Sequence, residues 1–238
     1  MLHNILLEKL AQLSFDLDIS SSMAIIDDLK NSPEFMDYYD QQTGMILITK
    51  VIEKGTFEHI INCLDIVYRF KQLNIFKKFN IEEKKLVQST LFHDISKNQP
   101  QLSVGQKVFA KEVFEDGKIH AEKSAEKALK KYSIPMDTYY TILYHHHEES
   151  ELPLNKYTTN EEWLIRYRLF KIIDGLSAAL TRSKASIHIG LDNHGIFIDE
   201  STPNINYNGT WYHNLYTGQK TKLCVPLINS YFRIFKVL

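Results

Sequence analysis

The chain has 238 residues, of which 44% are apolar and 24% are charged, and its formal net charge is −1 at pH 7. A chain of this size and composition can bury a hydrophobic core, which excludes a disordered protein and a small disulfide-dependent domain. The near-zero net charge excludes a strong overall attraction to nucleic acid and leaves only a local basic surface for that role.

The two cysteines and the N-terminus predict a cytoplasmic protein. Cys63 and Cys224 lie far apart and match no zinc-ribbon spacing, so we expect two small buried residues in a reducing compartment. No run of about 18 apolar residues occurs, which predicts no membrane span. The first residues lack the basic leader and uninterrupted apolar block of a secretory signal.

Hydrophobic spacing predicts a mainly helical chain. Residues 1–50 are predicted to be helical, with a break at Asn31–Pro33 and with Pro33 in a turn or in the first turn of the next helix. Further helices are predicted from the stripe that begins at His59, and over Glu82–Lys97, Ala121–Tyr132, the residues after Pro135 up to His147–Glu149, and Glu161–Arg182.

The character of the sequence changes after Ser183. Asp-Asn, His-Gly, Asn-Gly and Thr-Gly pairs separate short β-branched and aromatic runs, a pattern that predicts antiparallel strands or a hairpin over Ile187–Leu223. A short terminal helix is predicted from Val225. The expected organisation is an N-terminal helical extension over 1–50, a helical domain over 51–186, and a β-rich appendage over 187–238.

Potential metal ligands recur on the predicted helices or at their ends. They are His59, His93, Asp94, His120, His145, His146, His147 and Asp174. Any one of these histidines, taken alone, is more often a structural residue than a ligand, so the evidence is in their order along the chain. Imidazole and carboxylate together suit divalent transition metals such as Mn, Fe, Ni, Co or Zn. Lys97, three residues after Asp94, could stabilise negative charge on a phosphoryl oxygen.

The segment LFHDISK, which contains His93 and Asp94, resembles the signature of the HD superfamily of metal-dependent phosphohydrolases. The segments FEHIINCLDIVYRF, KIHAEKSAE, ILYHHHEE and KIIDGLSAALTR resemble its other ligand elements in order. The resemblance covers about residues 55–182 and implies an HD-domain helical bundle. Together with the strand pattern after Ser183, the expected fold is mainly α, with a small C-terminal β-hairpin or short antiparallel sheet packed on the bundle.

The resemblance also implies a ligand set for one or two divalent ions. His59, His93 and Asp174 would hold one ion, His120, His146 and His147 the other, and Asp94 would be shared. The resemblance of ILYHHHEE to the paired-histidine element favours His146 and His147 as the ligands. Consecutive helical residues point about 100° apart, so all three histidines cannot face one site. His145 is then a neighbour or an alternative ligand.

The resemblance implies hydrolysis of phosphodiester bonds, with Asp94 and Lys97 as catalytic residues. Single-stranded nucleic acid is the leading substrate, by similarity to the HD nucleases of CRISPR systems. A cyclic (di)nucleotide phosphodiesterase or a nucleotide phosphohydrolase is the alternative, although the Gly-Tyr-Pro element of HD-GYP enzymes is missing after the paired histidines. A non-catalytic HD-like regulatory or interaction module is a further alternative, and the sequence does not identify protein partners.

Overall fold

The architecture is known from a computed structural model that describes residues 2–183, 185–202 and 208–224, and the backbone of 232–234. Its helices are α1 (Leu2–Gln12), α2 (Ile19–Leu29), α3 (Gly55–Gln72), α4 (Ile75–Lys78), α5 (Glu83–Phe92), α6 (Ala110–Val113), α7 (Gly117–Tyr132), α8 (Met136–Tyr144) and α9 (Glu161–Ser183). The prediction of a mainly α fold is confirmed.

Helix α3 lies at the centre of the helical core. It packs against α9, α5 and α1, and it is buried on most of its circumference, including Ile60, Ile61, Leu64 and Val67. A helix that is apolar nearly all round must be surrounded by other elements. The polar side chains on α3 are therefore either paired or functional, because an unpartnered polar group in such a place is costly.

The second half of the N-terminal region forms strands. Strand β1 (Glu34–Tyr39) pairs antiparallel with β2 (Ile46–Ile52), and β2 also pairs with β3 (Lys107–Val108). The prediction of a helical 1–50 is thus wrong beyond α2, and Pro33 precedes a strand rather than a helix. The run ILITKVI in β2 is rich in β-branched residues, which favour a pleated surface over a helix.

The C-terminal region is a small antiparallel sheet, as predicted. Strands β4 (Ser186–Leu191), β5 (Gly195–Ser201), β6 (Gly209–Asn214), β7 (Lys220–Leu223) and β8 (Phe232–Ile234) lie in the order β7-β6-β5-β4-β8. Alternate residues of β4 and β5, Ile187, Ile189, Ile196 and Ile198, are buried in the main core. The sheet is therefore part of the same hydrophobic unit as the helices.

Two smaller expectations need correction. Most of the terminal helix predicted from Val225 lies outside the described residues, and the part that is described, β8, is a strand paired with β4. Cys63 is buried as expected, whereas Cys224 is exposed. Over the described residues, no helix combines the length and the apolar character needed to cross a membrane.

Candidate metal centre

Five segments of the helical core bring the predicted ligands to one buried place. His59 lies in the first turns of α3, His93 and Asp94 follow the end of α5, and His120 lies in α7. The chain leaves α8 just before His145, and Asp174 lies in the middle of α9. His59, His93, Asp94, His120 and His145 are each at most 5% exposed. Such burial of polar groups requires compensating partners.

The first donor group consists of His59, His93 and Asp174. The Nε2 atoms of the two histidines lie 3.1 Å apart, and Oδ1 of Asp174 lies 3.1 Å from His59 Nε2 and 3.5 Å from His93 Nε2. The Cys63 thiol approaches His59 Nε2 to 3.8 Å. Burial raises the pKa of this thiol well above its ordinary value, so Cys63 is neutral beside the group.

The second donor group consists of Asp94, His120, His145 and His146, whose ligand atoms all lie within 4.8 Å of one another. His120 Nε2 is 3.2 Å from Asp94 Oδ1 and 2.9 Å from His146 Nε2, and His145 Nε2 is 3.9 Å from Asp94 Oδ1. One carboxylate oxygen and three imidazole nitrogens at such spacing suit a divalent cation between them.

Asp94 connects the two groups. Its Oδ1 faces the second group, while its Oδ2 lies 3.9 Å from Nε2 of both His59 and His93. Burial opposes ionisation of Asp94, but Lys97 and the neighbouring rings of His93 and His120 hold the pKa of this carboxyl well below its usual range. Asp94 is therefore a carboxylate with one oxygen turned toward each group.

His147 lies outside both groups, which changes the expected ligand pair. Its ring packs edge-on against Tyr144 at a centroid distance of 5.2 Å, and its backbone N–H bonds to the Tyr144 carbonyl in the turn that follows α8. The structure therefore places His145 and His146, and not His147, in the second donor group. The physical reason is that successive side chains in a helical turn diverge. Helix α8 ends at Tyr144, whereas the sequence predicts an end around His147–Glu149.

Hydrogen bonds at the Nδ1 atoms orient three of the rings. Nδ1 of His93 donates to the Thr90 carbonyl at 2.9 Å, and Nδ1 of His145 donates to the Ile142 carbonyl at 2.6 Å. The Ser177 hydroxyl donates to the His59 carbonyl at 2.7 Å, so it accepts from His59 Nδ1 at 2.9 Å. With the proton at Nδ1, each Nε2 presents a lone pair to the centre, as a metal ligand must.

The protonation states and the unsatisfied atoms fit a divalent cation. Burial lowers the pKa of His145 well below its ordinary value and that of His146 to about 4, so both rings are neutral at pH 7. Asp94 Oδ1 and His145 Nε2 are buried with no hydrogen-bond partner among the described residues, although His120 Nε2 lies 3.2 Å from Oδ1. Buried acceptors left in this way are rare, and a cation would satisfy both at once.

A second network, centred on Glu34 of β1, adjoins the donor groups. Glu34 is 1% exposed, and its carboxylate accepts from Lys97 at 2.8 Å, Gln99 at 3.0 Å and Arg182 at 2.7 Å. Lys97 Nζ also lies 2.8 Å from Asp94 Oδ2. Sequence reasoning missed Glu34 and Arg182. The available signals were that Glu34 is an acidic residue at the start of a strand, and that Arg182 follows Asp174 in the same helix.

A cavity of about 420 Å³ opens beside the second donor group. It is bordered by His120 and His146, by the Glu34 network and by the Phe35 and Phe114 rings. Gly117, at the start of α7, also lines it, and a Cβ at this position would lie 2.7 Å from the His146 ring. The small residue thus allows the His146 imidazole to occupy the boundary between the cavity and the donor group.

Comparison with protein families shows what this arrangement is similar to. The model of the HD domain family matches residues 56–179, just over half of the chain. Comparison with curated proteins and with solved structures gives no match. The match begins three residues before His59, ends five residues after Asp174, and so includes both donor groups. Members of this family are generally metal-dependent phosphohydrolases, and this chain belongs to the HD domain family.

Proposed function

We propose that the protein hydrolyses phosphodiester bonds with two divalent metal ions. The observation that supports this proposal most is the position of Asp94, a buried carboxylate with one oxygen toward His59 and His93 and the other toward His120. A carboxylate shared by two sets of imidazoles is the arrangement that a pair of neighbouring cations requires.

The ligand roles follow from the two donor groups. His59, His93 and Asp174 would hold one ion, His120, His145 and His146 would hold the other, and Asp94 would be shared. Ions bound there supply Lewis acidity and an activated water, so the protein needs no nucleophile of its own. The identity of the ions is open among Mn, Fe, Ni, Co and Zn, all of which accept imidazole and carboxylate.

Lys97 keeps the shared carboxylate in place and ionised. Burial opposes the charge on Lys97, but Asp94 and Glu34 raise the pKa of its ammonium group, which stays positive. Because Lys97 also lines the cavity, its charge is available to a phosphoryl oxygen as negative charge develops there. We therefore propose that Asp94 and Lys97 are both catalytic residues.

Single-stranded nucleic acid is our leading substrate, in line with the resemblance of the ligand set to the HD nucleases of CRISPR systems. A cyclic (di)nucleotide phosphodiesterase or a nucleotide phosphohydrolase is the second candidate, favoured by a cavity whose size falls in the range of small-ligand sites. The free cysteines fit a cytoplasmic location, where thiols stay reduced.

Metal content and hydrolysis on the same samples test the proposal. Wild type and Asp94→Ala would be compared by elemental analysis, and then assayed with Mn²⁺ on single-stranded oligonucleotides and cyclic dinucleotides. We expect about two ions per wild-type chain, and loss of both metal and cleavage in the variant. Cleavage of cyclic dinucleotides alone would select the second candidate, and a wild type with neither metal nor activity would indicate a non-catalytic module.

A further inference from the structure

Arg182, near the end of α9, is linked to Asp94 by a series of contacts through Glu34 and Lys97. Its Nε and Nη2 both donate to Oε2 of Glu34, at 2.8 and 2.7 Å, while Lys97 and Gln99 donate to Oε1. The Glu34 carboxylate thus holds two cationic side chains. Lys97 also contacts Asp94 of the metal centre, whereas Arg182 contacts the other oxygen of Glu34.

Arg182 is the accessible member of this network. Its side chain is 41% exposed, against 12% for Lys97 and 2% for Glu34. Among the described residues, Nη1 of Arg182 has no hydrogen-bond partner, so its N–H groups remain for a ligand. Arg182 and His146 line the same cavity, which places the guanidinium and the second donor group along one continuous surface.

The position of Arg182 determines which phosphate of a substrate it can contact. Because Glu34 and Lys97 lie between Arg182 and Asp94, a phosphate held at the donor groups would meet Lys97 first. A guanidinium held by a carboxylate on one edge commonly presents its other edge to an oxyanion, since its planar fork matches phosphate geometry. The anion for Arg182 is then a neighbouring phosphate and not the one that is cleaved.

We propose that Arg182, oriented by Glu34, binds a second phosphate of the substrate next to the scissile one. This inference rests on the proposed phosphodiesterase function and narrows its substrate to nucleotides that carry at least two phosphates, as longer oligonucleotides and cyclic dinucleotides do. It also makes the N-terminal hairpin, which precedes the family match, a part of the active site through Glu34.

The acidic residues around the cavity leave positive charge available for a phosphate. Glu115 is ion-paired with Lys123, and the Glu34 charge is shared by Lys97 and Arg182. Asp37 also lines the cavity; burial raises the pKa of this carboxyl, and the Arg182 charge opposes that rise. Two cations and the metal ions would together face the substrate.

The competing explanation is a purely structural ion pair that fastens α9 to β1, and a matched set of substrates separates the two. Dithymidine joined by one phosphodiester would be compared with the same dinucleotide carrying an added 5′- or 3′-terminal phosphate. Hydrolysis with Mn²⁺ would be measured for wild type, Arg182→Gln and, as a control, Arg69→Gln at an exposed position in α3. Equilibrium binding of analogues with a non-hydrolysable linkage would be measured in parallel, with metal content and Tm.

We expect one of the phosphorylated dinucleotides to bind wild type about tenfold or more tightly than the unphosphorylated one, with a matching fall in KM. Arg182→Gln should remove this preference and leave metal content unchanged, while Arg69→Gln keeps it. Equal affinities in wild type, or a preference that survives Arg182→Gln, would overturn the inference. Absence of hydrolysis with the binding preference intact would reject the proposed function alone.

Discussion

Lys97 Nζ lies 2.8 Å from Glu34 Oε1, and this ion pair joins the N-terminal hairpin to the turn that carries His93 and Asp94. Both side chains are nearly buried, at 12% and 2% exposure. A buried ion pair contributes little net stability to the fold, but removal of one partner destabilises the fold because the other charge is left buried and unpaired. The contact therefore fixes where Lys97, and through it Asp94, can lie.

The choice of ligands in the run His145–His147 can be tested with two matched substitutions. His145→Asn should lower the metal content by about one ion per chain and reduce hydrolysis at least about a hundred-fold, because a buried donor of the second group is lost. His147→Asn should leave both nearly unchanged, since its ring packs against Tyr144 instead. Elemental analysis and steady-state rates decide the matter, and the opposite pattern would restore His147 as the ligand.

Ser177 orients His59 without touching a metal ion. Its hydroxyl accepts from His59 Nδ1 at 2.9 Å, so Ser177→Ala should leave the ring free to turn and weaken metal binding about 10- to 100-fold. Ser183→Ala is the control, because within the described part of the chain the Ser183 hydroxyl donates to the Ala179 carbonyl of the same helix and to no other group. The measurement is the apparent Kd for Mn²⁺, and equal values for the two variants would contradict the role given to Ser177.

Gly55 is required where α3 begins against β1. A Cβ at this position would overlap the backbone and side chain of Glu34, both within hard contact. Gly55→Ala should therefore destabilise the fold by about 1–3 kcal/mol and disturb the Glu34–Lys97 pair. Gly175→Ala has open space around its Cβ and should stabilise α9 by up to about 1 kcal/mol. Urea unfolding of the two variants measures the contrast, and similar stabilities would argue against this close approach.

Glu200 in β5 should make stability fall as the pH rises. Burial raises its pKa from the 4.5 of an ordinary glutamate to about 7, an effect that Lys220 only partly opposes. The folded state then binds the proton more tightly than the unfolded state, so its contribution is present below pH 4.5 and is lost between pH 4.5 and 7.

Substitution by the neutral isostere removes this dependence. Glu200→Gln should be more stable than wild type by about 1–2 kcal/mol at pH 8, after a discount for solvent screening, and similar to wild type at pH 4.5. Unfolding in urea at both pH values measures the difference. Glu53→Gln, at an exposed position before α3, serves as the control, and a gain for Glu200→Gln that is equal at both pH values would refute the explanation.

The sequence by itself determined the helices that form the core and the order of the ligands. Apolar spacing is a local property of the chain, so α3 and α9 were predictable within a few residues. The His-Asp pair and the histidines around it also identified the family, because the order of these residues along the chain does not depend on how the chain packs. Strand β2 shows the limit of this reasoning. The helical spacing at the start of the chain predicts helix over residues 1–50, but the last helix of that region ends at Leu29 and Ile46–Ile52 forms a strand.

The tertiary structure alone decided which atoms meet. Whether His145 or His147 faces Asp94 depends on where α8 ends, and a shift of one residue turns a side chain by about 100°. Glu34, Ser177 and Arg182 have no sequence signal as site residues, because their roles arise from contacts across 65 to 148 positions of the chain. Such long-range contacts are set by how the hairpin and α9 pack on α3, and packing is a property of the whole fold.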